Sequence, residues 1–108
     1  MNHAARILLL AAALALGTAH AQQPVVISIG TGGTGGVWYP LGGAMANVLS
    51  KSVPGMQVTA EVTGGSVDNI NLIRSGQSAL GFSMVDAAWD AYRGQGKFPQ
   101  GTHAVRAG

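Results

Sequence analysis

The apolar positions of this chain switch repeatedly between the period of a strand and the period of a helix. Val25 to Ile29, "VVISI", is a short β-branched run preceded by Pro24 and closed by Gly30, and it predicts a strand. After a glycine-rich stretch, Leu41, Met45, Val48 and Leu49 recur at i, i+4, i+7 and i+8. That spacing predicts a helix with Pro40 as its first residue, stopped after Ser52 by Val53-Pro54-Gly55. Met56 to Thr63 alternates Met56, Val58, Ala60 and Val62 with Gln57, Thr59, Glu61 and Thr63, the pattern of a half-buried strand. Gly64-Gly65 leads to Ser66, placed as an N-cap, and Val67, Ile70 and Ile73 mark the apolar side of a helix ended by Gly76. Ala79 to Phe82, "ALGF", predicts a short buried strand. Ser83 and Asp86 have capping-box spacing and open a helix that carries Trp89 and Tyr92 up to Gly94.

The order β-α-β-α-β-α with short connections predicts an α/β fold, a short parallel sheet flanked by helices and joined by right-handed crossovers. Ahead of it, Ile7 to Leu16 is an unbroken apolar run behind Arg6, followed by the small-x-small signature Ala19-His20-Ala21. This predicts a signal peptide over residues 1–21, with the mature chain starting at Gln22 in the periplasm. The run is well short of the ~20 residues that span a bilayer. Residues 22–98 then form the folded unit and residues 99–108 a tail, where Ala104-Val105 is placed to start a further strand; the chain reads as stopping before its fold is complete.

Composition narrows the function. Cysteine is absent, which removes disulfides, thiolate metal sites and cysteine nucleophiles. Without the leader, Lys51, Arg74, Arg93, Lys97 and Arg106 stand against Glu61, Asp68, Asp86 and Asp90, so the formal charge of +2 for the whole chain is no nucleic-acid signal. Lys51, Arg74 and Arg93 fall at the C-terminal ends of the predicted helices, where they compensate the dipole.

In a doubly wound sheet the loops that follow the strands share the carboxyl edge, and ligands bind where the strand order reverses. Three loops fall there, Thr31 to Tyr39, Thr63 to Ser66 and Ser83 to Asp86, and each leads into a helix N-terminus that favours an anion. None contains Lys or Arg. Gly30, Gly32 and Gly35 have the GxGxxG spacing of a dinucleotide loop, which makes a Rossmann-type nucleotide enzyme the alternative. Against it, Pro40 lies five residues beyond Gly35, whereas the Rossmann helix opens within the glycine motif, and Glu61 comes too late for a ribose-binding acid. Gly36 stands where a P-loop needs its lysine. Ser66 and Ser83 have no base, since His103 is in the tail, and no clustered metal-ligand set is present. Trp38 and Tyr39 either pack the start of the first helix or wall a pocket; Trp89 and Tyr92 are core residues or a surface for a further domain, with direct ligand contact the lesser reading. The residues thus point away from an enzyme, with no cofactor, and toward binding.

The segments "GTGGTGGVWYPLGGAMANVLSK" and "VTGGSVDNINLIRSGQSALGFSMVDAAWDAYRG" closely resemble the N-terminal part of the TAXI-family solute receptors of tripartite ATP-independent periplasmic (TRAP) transporters, over nearly all of residues 25–98. The resemblance implies a type II periplasmic binding protein fold, here a partial first lobe, that captures a small organic acid or an amino acid such as glutamate for a membrane permease. By position it places Gly33, Thr34, Tyr39, Ser66, Asn69 and Ser83 around the ligand. Relatives commonly have two tyrosines where this chain has Trp38-Tyr39. A periplasmic sensory or interaction module using the same lobe is a further alternative.

Overall fold

The structure, a computed structural model, describes residues 22–98. The expected leader, Ala104-Val105 and His103 lie outside the described residues. The elements run β1 (Val25–Gly30), α1 (Trp38–Ser52), β2 (Met56–Glu61), α2 (Ser66–Arg74), β3 (Leu80–Gly81) and α3 (Val85–Arg93). The fold is the α/β arrangement expected, a three-stranded sheet in the order β2-β1-β3 with every pairing parallel. Ile29 lies opposite Ala60 on one side and Leu80 on the other.

This order places the sheet's reversal at β1. The chain steps from β1 to β2 in one direction, then returns across β1 to β3, so crossovers of one hand carry α1 and α2 to opposite faces. The apolar packing divides accordingly. Ile29, Ala46 and Val58 form one buried cluster, with Ile27, Leu49, Met56 and Phe82 against it. Ile70, Ala91 and Phe98 form the other, with Val67 and Ala87.

Several boundaries differ from the sequence expectation. Helix α1 opens at Trp38, so Pro40 is its third residue rather than its first. Proline is tolerated there because the N–H groups of the first turn have no intrahelical partner to lose. Strand β2 stops at Glu61, two residues before Thr63, and β3 is confined to Leu80–Gly81 within the predicted "ALGF". Of the expected apolar stripe of α1, only Leu49 docks on the core. Leu41, Met45 and Val48 are exposed, while Gly42 and Ala46 are buried. Small side chains allow the helix backbone to lie close on β2, and that approach decides which of two adjacent stripes faces the sheet. On α3 both Trp89 and Tyr92 are exposed, which overturns the core reading for them. Their rings lie 6.0 Å apart and the Arg93 guanidinium sits 5.4 Å from the Trp89 ring centre.

Candidate functional site

The loops after β1, β2 and β3 meet at the carboxyl edge of the sheet, at the reversal point. The first leaves β1 through Thr31, which is fully buried. Its N–H and its hydroxyl both donate to the carbonyl of Glu61, at 3.0 and 2.5 Å, which extends the β1–β2 ladder past the end of β1. The Thr63 N–H continues it by donating to the Gly32 carbonyl at 3.3 Å. Gly33 to Gly36 then form a tight turn closed by the Gly36 N–H on the Gly33 carbonyl at 3.0 Å, and Gly33 and Thr34 are exposed on it.

The second loop is organised by its own polar groups. The Gly64 N–H donates to the Asp68 carboxylate at 2.9 Å and the Gly65 N–H to the Thr63 hydroxyl at 3.2 Å. Gly65, with φ 103° and ψ −149°, is the N-cap of α2, one residue before the Ser66 expected in that role. That backbone region is essentially restricted to glycine. Ser66 is therefore the first helical residue, and its hydroxyl turns outward to the third loop, where it accepts the Met84 N–H at 2.9 Å.

The third loop leaves β3 through Phe82. Ser83 does not cap α3, whose N-cap is Met84 in extended conformation. The Ser83 hydroxyl donates to the Met84 carbonyl at 2.8 Å, and Asp86 accepts the adjacent Ala87 N–H at 2.8 Å instead of reaching back to Ser83. The expected capping box is absent because both side chains found nearer partners. Ser66 and Ser83 thus converge on one residue, Met84, from two loops.

Asn69 lies behind this junction, fully buried. Its amide donates to the carbonyls of Thr31 at 2.7 Å and Phe82 at 2.8 Å, and its Oδ1 accepts the Thr63 hydroxyl at 2.6 Å. It sits over the Gly30–Gly81 pair, where Cβ atoms would lie 2.5 and 2.9 Å from its side chain. In front, Trp38 stacks on Phe82 with ring centres 6.0 Å apart and planes 16° apart. The Trp38 ring also borders Gly32 and Gly65, so it fills the space between the first two loops. Tyr39 points elsewhere. It lines an open groove between α1 and β2, with Pro40, Asn47 and Thr59.

Of the six residues chosen from sequence, Ser66, Asn69 and Ser83 are therefore brought together, Gly33 and Thr34 stand on the adjoining rim, and Tyr39 flanks it. Thr31, Thr63 and Phe82 were missed, although Thr63 directly before Gly64-Gly65-Ser66 carried a turn signal. The basic residues Lys51, Arg74 and Arg93 occupy the last turns of their helices, and Arg74 lines an open groove along α2 that reaches Thr63 and Asp68. None of the three helices has a side-chain N-cap bond; Asp68 and Asp86 occupy the first turns of α2 and α3, whereas α1 has no acid in its first turn. The edge thus offers backbone donors and hydroxyls, and its least compensated helix N-terminus is that of α1.

Comparison with known families gives a match to the NMT1-like family over residues 29–107, which takes in all three loops of this edge. With most of its length matched, the chain belongs to the NMT1-like family, a family of the periplasmic binding type.

Proposed function

We propose that this chain forms the first lobe of a TAXI-type solute receptor, which captures a small carboxylate, an organic acid or a glutamate-like amino acid, for a TRAP membrane permease. The observation that carries this reading is the convergence of the three strand-following loops at the reversal point of the sheet, with hydroxyls and helix N-termini directed to one edge. A carboxylate set against the N-terminus of α1 would take backbone N–H groups beside the Gly33–Gly36 turn, with Thr34 supplying a hydroxyl. Ser66 and Ser83 would contribute from the opposite side and Tyr39 from the flank, with Asn69 buried behind them. On this reading residues 1–21 are the export leader and residues 22–98 the lobe. A receptor of this kind carries out no bond chemistry and needs no cofactor.

The test is a shift titration by nuclear magnetic resonance, which detects binding down to millimolar affinity. L-glutamate, succinate and malate are each added to the labelled chain. The expected result is saturable movement of the Thr34, Gly35, Trp38, Gly65 and Met84 amides, with those of the α1–β2 groove at Asn47 and Thr59 unmoved. A broad panel of acids that shifts none of them overturns the proposal.

A further inference from the structure

Deepening that reading, the structure assigns Asn69 the part of a positioning residue, one that holds all three loops of the solute edge in register while touching no solute itself. Its side chain is fully buried, so it presents no surface to a ligand in this arrangement. Its bonds are distributed one to a loop: Thr31 of the first, Thr63 of the second and Phe82 of the third. These partners lie 38, 6 and 13 residues away, so no local turn explains them. Among the described residues no buried side-chain polar atom is left without a partner, so the network is closed on itself.

The fold accommodates this side chain at both strand ends. Gly30 and Gly81 are paired across the β1–β3 ladder, and a Cβ at either would collide with Asn69. The glycine pair therefore forms a seat at the reversal point, and Asn69 occupies it from α2. A carboxamide is suited to the position because it offers two donors and an acceptor in one plane. A carboxylate would lose both donors, and an aliphatic side chain would take the amide donors from the buried Thr31 carbonyl and the part-buried Phe82 carbonyl. The third bond, from the Thr63 hydroxyl, fixes which way the carboxamide faces and so couples the second loop to the other two.

Amide hydrogen exchange on the full chain tests this without any ligand. In Asn69→Leu, exchange at Thr31, Thr63, Phe82 and Met84 should rise by roughly tenfold or more, the loss of buried hydrogen bonds, while Ile27 and Ala46 keep their protection. Should that variant fail to fold, Thr63→Val and Thr63→Ser decide. The valine variant should loosen Gly65 and also Thr31 and Phe82, with the core amides unchanged, and the serine variant should restore all three. Loosening confined to Gly65, a uniform rise through the core, or no change in the valine variant would each overturn the assignment. The acid titration above is independent: silence there removes the solute reading and leaves the exchange result to judge the clamp.

Discussion

The methyl group of Thr31 stands 2.5 Å from the point that a Cβ on Gly42 would occupy, with Phe82 and Ala60 close behind. Gly42 is thus where α1 lies against the first residue of the loop that follows β1. Glycine in a helix interior ordinarily costs about 1 kcal/mol relative to alanine, so replacement would be expected to stabilise. Here the collision dominates, since overpacking a close contact costs roughly 1–3 kcal/mol. Gly43, the next residue, has nothing within 4 Å of its notional Cβ. Gly42→Ala should therefore lower stability and Gly43→Ala should raise it by about 0.5–1 kcal/mol. Urea denaturation of both variants checks the pair; the same sign for both would refute the packing described.

Strand β2 lies at the edge of the sheet, and Ser50 guards it. Its hydroxyl accepts the Val58 N–H at 2.8 Å and lies 3.3 Å from the Val58 carbonyl, to which it donates. An unpaired edge is a template for pairing with another chain. Ser50→Ala should cost about 1 kcal/mol and make Val58 the β2 amide whose exchange rises most. It should also increase concentration-dependent association by light scattering, whereas Ser50→Thr, which retains the hydroxyl, should not.

Much of the fold was legible because glycine and proline mark its boundaries. Gly76 and Gly94 follow α2 and α3 with φ of 75° and 67°, in the left-handed conformation that a helix-ending glycine supplies, and Gly55 does the same in the turn before β2. The face of α1 was not legible, because Leu41-Met45-Val48 and Gly42-Ala46 are adjacent stripes of one helix. Only the closeness of β2 selects the smaller one. Local capping rules misplaced Ser66 for a similar reason: its hydroxyl serves Met84, 18 residues on, in place of its own helix. Asn69 was singled out only by the family resemblance, and its carbonyl partners depend on the strand order, which spacing alone does not give.

Gly65 links the second loop to α2 in a backbone conformation closed to side chains. Gly65→Ala should cost roughly 1–3 kcal/mol. Gly76 has φ 75° with nothing within 4 Å of its notional Cβ, so Gly76→Asn should cost less, because asparagine tolerates the left-handed region. Thermal melts of the two variants should rank them in that order. A smaller loss at Gly65 would mean that the loop relaxes to another conformation when a side chain is added.

Trp38 and Trp89 make a matched comparison. Trp38 is half-buried and stacked on Phe82, while Trp89 is 55% exposed on the outer side of α3. Truncating a packed aromatic to alanine costs about 3–5 kcal/mol in a full core, and a half-buried one correspondingly less. Trp38→Ala should therefore lower stability by roughly 2 kcal/mol, close to what a small domain can lose, and Trp89→Ala by well under 1 kcal/mol. Fluorescence separates the two positions. With Trp89→Phe as background, the remaining emission comes from Trp38 and should be blue-shifted and weakly quenched by iodide. With Trp38→Phe, emission from Trp89 should be red-shifted and readily quenched. Trp38→Phe should also retain most of the stability, because a phenyl ring can still stack on Phe82 between the first and second loops. If Trp38 were quenched as easily as Trp89, the ring would not fill the space between Gly32 and Gly65, and the loops would lack the aromatic packing described for this edge.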